Sequence, residues 1–429
     1  MARSDTRSKT SLLAIGTTDR LYFAMLRESL DLVERGVATP ADIDAVVTTT
    51  IGRRLSVGGP IEIWEQIGWD LVQTIAGELY REISTSAKPS AYACEQLIDY
   101  AFHDRQSDTA SNTGAIEGGS SYKKIAVVGA GLMGHGIALE FAARGYQVAL
   151  YDLRDPILED AMSRVEVGLK ALASAGQIGE ADIQTAKRRI TTDTVISRTL
   201  AGADLVIEAA TENLELKLKI FDVLDRLTPP ETPIVSNSST FLPSAYGSAT
   251  NRPRLIAGVH YYNPPHLLPG VELIRSDDTA DSVIDSLDEL YRSIGKNPAH
   301  IQKEVQGFVG NRLQVAVLRE AFEIIGSAEE SAESLDSQVR DSLGNQLARS
   351  GPFGIVAERG IDSVLREAED VFPTLCNDRE LPPVLMNKIE SGELGVKVRK
   401  GFYEWTDDSA EAWRKNMADS LLELATADQ

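Results

Sequence analysis

Two kinds of apolar spacing divide the chain into regions. Between about residues 123 and 305, short apolar runs alternate with helical patterns: KIAVV (124–128) and QVALYD (147–152) enclose an amphipathic stretch at 137–142. Runs of the same kind return at 204–208 (DLVIE), 233–236 (PIVS) and 255–260 (LIAGVH). Strands that alternate with helices favour βαβ units and a parallel sheet. We therefore expect an α/β domain at 123–305.

The spacing on either side of this region is helical. Residues 104–122 are rich in Ser, Thr and Gly and contain one large aliphatic residue, which is typical of a linker. The domain prediction is a tail, a helical domain, the linker, the α/β domain and a second helical domain. The tail covers 1–18, the first helical domain 19–103, the linker 104–122 and the second helical domain 306–429.

The two helical regions are copies of one sequence. A shift of 292 residues places DRLYFAMLRESLDLV (19–33) on NRLQVAVLREAFEII (311–325), and the register continues without a gap to 52–70 and 344–362. The matches include Arg20/Arg312, Glu28/Glu320, Asp44/Asp336, Gly52/Gly344, Gly59/Gly351 and Pro60/Pro352. Unrelated amphipathic helices rarely keep glycines, a proline and aspartates in one register. The predicted fold is an α/β domain with homologous all-α domains at its two ends.

Composition narrows the class of partner. The hydrophobic fraction of 43 % and the charged fraction of 25 % are typical of a globular protein, and no apolar run is long enough to span a bilayer. The net charge of −21 argues against nucleic acid and anionic membranes as partners. Cys94 and Cys376 lack metal-ligand spacing, which favours a reduced cytoplasmic location and predicts no metal site. A small molecule is the expected ligand.

A glycine-rich turn follows the first apolar run. Gly129, Gly131 and Gly134 lie between a predicted strand and a predicted helix, the context that a GxGxxG dinucleotide site requires. The loop residues Leu132 and Met133 belong to the same predicted site. The free N–H groups of the helix N-terminus can bind the pyrophosphate. The pattern predicts a Rossmann domain.

Asp152 ends the second predicted strand, where a carboxylate can bind the ribose hydroxyls and repel a 2′-phosphate. This position favours NAD over NADP. Arg154, two residues later, keeps NADP open as an alternative, because an arginine can accommodate that phosphate.

Several further blocks occur in a fixed order. They are EAATENLELK (208–217), SNSSTFLPS (236–244), HYYNPPHLLPGVEL (260–273), KEVQGFVGNR (303–312) and LGVKVRKGFYEW (394–405). Together with GAGLMGHGIA, these blocks resemble the signature of the 3-hydroxyacyl-CoA dehydrogenase family over residues 123 to about 405.

The resemblance implies a role for four catalytic residues. His260 matches the family's catalytic histidine and Glu272 the carboxylate that orients it. Ser239 and Asn311 match residues that polarise the substrate oxygen. An imidazole can exchange a proton with a hydroxyl near neutral pH. Asn311 has a plainer alternative as a helix cap.

The resemblance also implies further contacts with the cofactor. Glu212, Lys217 and Asn263 match positions at the nicotinamide half of NAD, and Lys397 matches a lysine near the cofactor more loosely. The alternative for the first three is a solvated helix start and a turn.

The substrate expected from the resemblance is an L-3-hydroxyacyl-CoA, short-chain, such as 3-hydroxybutyryl-CoA. Two positions depart from the family: the serine and lysine that contact CoA are replaced by Gly168 and Ala175. SNSSTFLPS and NPPHLLPGVEL are similar to a branch that oxidises free hydroxy acids, such as L-gulonate and L-carnitine dehydrogenases, which is the alternative substrate class. A third alternative is a non-catalytic binding or structural protein that keeps the fold.

The N-terminal copy has Asp19 in place of Asn311 and no counterpart of GFVGNR or LGVKVRKGFYEW. It is therefore expected to be structural. Because this domain commonly forms the family's dimer contact, our hypothesis is that the two copies pack together, as a homodimer or as a pseudo-dimer within one chain. Binding of another partner is the alternative.

Overall fold

The computed structural model describes residues 16–87, 122–360, 364–365, 367–368 and 371–427. Cys94 and most of the predicted tail and linker lie outside the described residues. Among the helices that are described, none is both long enough and apolar enough to cross a membrane.

The N-terminal copy is helical, as its spacing predicts. Its helices are α1 (Thr17–Glu34), α2 (Pro40–Val46), α3 (Gly52–Leu55), α4 (Pro60–Ile67) and α5 (Trp69–Glu82), with a π-helical segment at Val47–Ile51. Prolines occupy the first turns of α2 and α4, where the missing N–H costs nothing.

The middle of the chain folds into one eight-stranded sheet. Its strands are β1 (Lys124–Val128), β2 (Gln147–Tyr151), β3 (Ile190–Asp193), β4 (Leu205–Glu208), β5 (Ile234–Ser236), β6 (Ile256–Tyr261), β7 (Gly270–Ile274) and β8 (Asn297–Ile301). The strand order is β3-β2-β1-β4-β5-β6-β7-β8, and every neighbouring pair is parallel except β6 and β7. The predicted α/β architecture is confirmed.

Apolar spacing predicts five of these strands and misses β3, β7 and β8. β3 (ITTD) has one large apolar residue, β7 (GVELI) carries a buried glutamate, and β8 (NPAHI) contains a proline. These sequences have weak strand signals, and their pairing with neighbouring strands decides their structure.

Helices cover the sheet. They are α6 (Gly134–Ala143), α7 (Asp155–Ser174), α8 (Asp182–Arg189), α9 (Ile196–Leu200), α10 (Leu214–Leu227), α11 (Pro243–Gly247) and α12 (Asp281–Ser293). The chain switches direction between β1 and β4, so the carboxyl ends of these strands open the crevice where such sheets bind nucleotides.

The C-terminal copy repeats the helical pattern. Its helices are α13 (Gly310–Gly326), α14 (Ala332–Gln338), α15 (Asn345–Arg359), α16 (Pro383–Glu390) and α17 (Asp407–Ala427). A π-helical segment at Val339–Gly344 repeats the one at Val47–Ile51. The shared irregularity indicates that the repeat extends from sequence to backbone.

The two copies pack against each other within the chain, and their contacts are reciprocal. Arg20 Nε donates to Glu320 at 2.7 Å, and Arg312 Nε donates to Glu28 at 2.6 Å. Each arginine is the repeat counterpart of the other, and so is each glutamate. α1 and α13 therefore lie antiparallel about a pseudo-twofold axis, the arrangement of an isologous dimer interface.

The helix caps obey the same symmetry. Gly351, with φ 63° and ψ 175°, interrupts α15, so a new helical stretch starts at Pro352. Each copy lends an aspartate to the start of a helical stretch in the other copy: Asp44 accepts from the N–H groups of Phe353 and Gly354, and Asp336 from those of Ile61 and Glu62, all at 2.8–2.9 Å. A carboxylate is favourable at a helix N-terminus, because the N–H groups there lack intrahelical partners.

The N-terminal copy also covers the outer edge of the sheet. Gln302 N donates to Val37 O, and His300 N donates to the Asp42 carboxylate, each at 2.8 Å. The edge strand β8 therefore does not offer these N–H groups to another chain. Buried apolar residues of both copies and of the sheet form a continuous core.

Candidate active site

The glycine-rich turn connects β1 to α6 at the centre of the sheet. Gly129 has φ +108°, and a Cβ there would lie 2.6 Å from Ala209 O. Around Gly131 there is open space, which lets a ligand approach its backbone. The free N–H groups of α6 face this space, so the turn fits a dinucleotide pyrophosphate.

Asp152 follows β2, and its carboxylate points back to the turn. It accepts from Ala130 N at 2.9 Å and from Leu153 N at 2.7 Å. Two backbone donors fix the carboxylate and leave its remaining lone pairs for ribose hydroxyls. Leu132, with 64 % of its surface exposed, and Met133 lie on the same side of the crevice.

Glu212 and Lys217 follow β4, the strand next to β1 in the sheet, and line the same crevice. Lys217 Nζ is buried and lies 2.6 Å from Glu208 Oε2 and 3.6 Å from Glu212 Oε2. The Glu212 carboxylate also accepts from the Ser238 hydroxyl at 2.6 Å and from the Ser239 and Thr240 N–H groups. This network orders the loop after β5, which carries Ser239.

His260 and Glu272 are cross-strand neighbours. The antiparallel register of β6 and β7 pairs these two residues, and His260 Nδ1 lies 2.5 Å from Glu272 Oε2. Both side chains are buried, at 3 % and 0 % exposure. Paired side chains on one face of a sheet are close enough for direct contact, so the hairpin itself builds the dyad.

Glu272 has three further donors. Tyr262 OH donates to Oε2 at 2.7 Å, and the Val309 and Gly310 N–H groups donate to Oε1 at 2.9 and 3.1 Å. Burial raises the pKa of Tyr262 well above its usual value, so the hydroxyl keeps its proton. Both oxygens of Glu272 thus face groups that can donate, and His260 Nδ1 lies against one of these oxygens while Nε2 points the other way.

The turn before α13 aims those two N–H groups. Gly307 and Phe308 adopt positive φ values of 75° and 51°, and a Cβ on Gly310 would collide with the Tyr262 hydroxyl. Phe308 is not a glycine, and such backbone strain is typical of functional sites. Its ring lies 5.5 Å from the imidazole of His260.

Ser239 and Asn311 complete the cluster. Ser239 Oγ lies 3.0 Å from His260 Nε2, the nitrogen that faces away from Glu272. Asn311 lies in the first turn of α13, and its Nδ2 donates to Ser239 O at a distance of 3.4 Å. The four residues predicted as catalytic therefore meet in one place. His260 Nε2, which faces Ser239 Oγ, is placed to exchange a proton with an oxygen held near Ser239 and Asn311.

Two predicted cofactor residues lie at the margin. Asn263 is exposed and lies in the turn after β6. The ammonium of Lys397 pairs with the carboxylate of Asp70 in the N-terminal copy. In this structure Lys397 thus joins the two helical copies.

The structure also describes Gly168 and Ala175, the positions at which the family carries its CoA-contacting residues. Gly168 is buried in α7, and a Cβ there would lie 2.4 Å from Leu139 Cδ1 and 3.3 Å from His266 Nε2. Ala175 caps the same helix, and Lys170 pairs with Glu166 at 2.8 Å. Neither departing position offers a polar side chain to a carrier.

Sequence reasoning did not single out Glu208, Tyr262 or the backbone donors of Val309 and Gly310. For Glu208 a signal existed, since an acidic residue ends an otherwise apolar central strand. The other contacts depend on strand register and on the turn before α13, which local patterns do not specify.

Two family profiles together match most residues of the chain. The sequence profile described as "3-hydroxyacyl-CoA dehydrogenase, NAD binding domain" matches residues 124–305. The profile described as "3-hydroxyacyl-CoA dehydrogenase, C-terminal domain" matches twice, at residues 17–113 and 307–405. The second result confirms that the helical domain is duplicated.

Similar proteins differ in their substrates. A 5-formyl-3-hydroxy-2-methylpyridine 4-carboxylate 5-dehydrogenase of Mesorhizobium japonicum is 31 % identical over 70 % of this chain and 96 % of its own length. A probable 3-hydroxybutyryl-CoA dehydrogenase of Bacillus subtilis is 30 % identical over 67 % and 99 %. A crystal structure of a 5-formyl-3-hydroxy-2-methylpyridine 4-carboxylic acid 5-dehydrogenase aligns with a TM-score of 0.67 and 28 % identity, covering 72 % of this chain and 98 % of that one.

Proposed function

Because the chain belongs to the 3-hydroxyacyl-CoA dehydrogenase family, we propose that it oxidises an L-3-hydroxyacyl-CoA to the 3-oxoacyl-CoA, reversibly and with NAD. The proposed substrate is short-chain, such as 3-hydroxybutyryl-CoA. One observation carries the proposal: His260 lies between the carboxylate of Glu272 and the hydroxyl of Ser239.

The proposed chemistry separates a proton from a hydride. His260 Nε2 takes the proton of the substrate hydroxyl, and Glu272 stabilises the imidazolium through Nδ1. Ser239 and Asn311 hold the substrate oxygen while its charge changes. NAD, when bound at the glycine turn, would supply the acceptor for the hydride that leaves the hydroxyl-bearing carbon of the substrate. The alcohol loses two electrons and becomes a ketone, and the reverse reaction returns the proton from His260.

A free hydroxy acid is the second candidate substrate. Gly168 and Ala175 offer no polar side chain, and Lys170 of the same helix pairs with Glu166, so the contacts expected for CoA at these positions are missing. The Mesorhizobium relative is named for action on a pyridine carboxylate, which is not a CoA ester. The acid–base cluster would serve either substrate class.

The test is NADH oxidation with acetoacetyl-CoA, measured beside a panel of free keto acids. We expect turnover with acetoacetyl-CoA and a loss on the order of a thousandfold in kcat for His260→Gln, because the general acid is removed. NADH binding should not change. His300→Gln is the matched control, since His300 lies on β8 and bonds to Asp288.

Each other outcome has a distinct meaning. Turnover of free keto acids alone would select the second candidate. NADH binding without any turnover would instead support a non-catalytic protein. Undiminished activity of His260→Gln contradicts the proposed acid–base role.

A further inference from the structure

A cleft of about 220 Å³ opens beside Ser239, and its two sides come from different parts of the chain. On one side are residues of the Rossmann domain that follow β1, β4 and β5, among them Leu132, Met133 and Glu212. On the opposite side are Leu71 and Ile75, from helix α5 of the N-terminal copy. A domain expected to be purely structural therefore lines the cleft.

Helix α5 is firmly held in this position. The Trp69 ring is fully buried, with Phe322 and Phe402 at ring distances of 5.8 and 5.2 Å. At the other end, Leu79 lies against Gly307, where a Cβ would approach the leucine to 2.7 Å. Both anchors belong to the C-terminal copy or to the turn before it. Leu71 and Ile75, which lie between these anchors, are thus held in place beside the cleft.

Two apolar side chains that line the cleft, Leu71 and Leu132, are partly open to solvent. Leu71 is 43 % exposed and Leu132 is 64 % exposed. A ligand that covers these side chains removes apolar surface from water, which makes the free energy of binding more favourable. The polar groups at the cleft floor are already paired, because Lys217 lies against Glu208 and Glu212. A flat ring with one polar edge suits such a site.

The position in the sheet identifies that group. The cleft lies at the carboxyl ends of β4 and β5, beyond the glycine turn and on the side away from Asp152. A dinucleotide with its ribose at Asp152 and its pyrophosphate at the glycine turn extends its other half into this cleft. That half carries the nicotinamide ring.

We propose that Leu71 and Ile75 form the outer wall of the nicotinamide site, so that the N-terminal copy closes the dehydrogenase site of its own chain. The proposal rests on the function proposed above. The wall shields the ring from water, which strengthens the polar interactions at the hydride-transfer position. The duplicated domain is then part of the site and determines how tightly the reduced ring is held.

The test is the binding of NADH to the full chain, followed by the fluorescence of the reduced ring. The variants are Leu71→Ser and Leu71→Ser/Ile75→Ser. We expect the Kd for NADH to rise about fivefold in the single variant and roughly twentyfold in the double variant, from the apolar contact that each loses. Quenching of bound NADH by iodide should also increase, because the ring becomes accessible to solvent.

Leu227→Ser is the matched control. Leu227 is also 43 % exposed, but it lies at the far end of α10. Its NADH affinity and its quenching should equal those of the unmodified protein. Thermal unfolding of all variants shows whether weaker NADH binding comes from the lost apolar contact or from a destabilised fold. Leu71 is already 43 % exposed, so its replacement by serine should disturb the fold little.

An unchanged Kd and unchanged quenching in a folded double variant would overturn the proposal. The readouts do not depend on the substrate. If no hydroxyacyl substrate is turned over but the wall variants still weaken NADH binding, the proposed function fails and the wall stands.

Discussion

Tyr262 connects the proposed catalytic pair, His260 and Glu272, to the first turn of α13. Its hydroxyl bonds to Glu272 and lies where any side chain on Gly310 would collide with it, and its ring lies 4.9 Å from that of His260. We regard Tyr262 as a positioning residue, because it acts on His260 through Glu272.

The change Tyr262→Phe should lower kcat/KM about tenfold, because a hydrogen bond to a charged group contributes roughly 1.5–3 kcal/mol and three other donors remain on Glu272. The NADH Kd should stay the same. Steady-state kinetics and an NADH titration measure the two quantities. Tyr261→Phe, on the opposite face of β6, is the control. Equal losses in both variants would show that the effect comes from packing alone.

Among individual residues, the sequence can predict those whose chemical role requires a particular type of side chain. His260, Glu272, Ser239 and Asn311 occur in recognisable blocks, and the structure brings them together. The roles assigned to them stay a proposal. Leu71 and Ile75 could not be found in this way, since apolar residues on a helix carry no mark of the ligand they face.

Among the elements, the reciprocal pair α1 and α13 shows how a repeat can differ in detail. The two arginine–glutamate pairs occupy equivalent positions but different surroundings. Arg312 and Glu28 are 0 % and 1 % exposed, whereas Arg20 is 17 % exposed and also pairs with Glu329. Removing one partner of a fully buried pair leaves an uncompensated charge.

Glu28→Gln should therefore destabilise the protein by about 3 kcal/mol, because it leaves Arg312 fully buried without its carboxylate. Glu320 is as buried as Glu28, but Glu320→Gln should cost less, roughly 1 kcal/mol, because Arg20 is 17 % exposed and keeps Glu329. Each variant serves as the control for the other, since the repeat places both glutamates at the same position. Urea unfolding at constant pH measures the difference. Equal destabilisation would contradict the argument that the burial of the arginine left unpaired sets the cost.

Element types followed from apolar spacing wherever the spacing was regular. The helical copies and the central strands were predicted, and the fold class is confirmed. The strand β7 was missed, although Glu272 lies on it, because a carboxylate in a buried strand contradicts its pattern. Only pairing with β6 and four donors make that position stable.

For the molecule as a whole, the hypothesis that the copies pack together now has a geometric basis. The reciprocal ion pairs and caps lie within one chain, across a buried interface continuous with the core. The face through which an isologous dimer would form is occupied. We propose that the chain is a pseudo-dimer with one dehydrogenase site.

Deletion of residues 1–118 tests this arrangement. The full chain should sediment as a single 46.6 kDa species, because its self-complementary face is covered. The truncated chain should associate or unfold at lower temperature, because the buried face of α13 becomes exposed. Analytical ultracentrifugation and thermal unfolding measure both effects. A truncated chain with monomeric mass and unchanged Tm would rule the arrangement out.

The fusion of the two copies changes how substitutions are inherited. A surface that meets its own twin receives every mutation twice, so a change that suits one side must suit the other. Here each half of the axis has its own codons. Asp19 can differ from Asn311, and Arg54 from its counterpart Gln346, while the caps at Asp44 and Asp336 stay matched. One half can thereby change at the site while both halves keep the paired caps that hold them together.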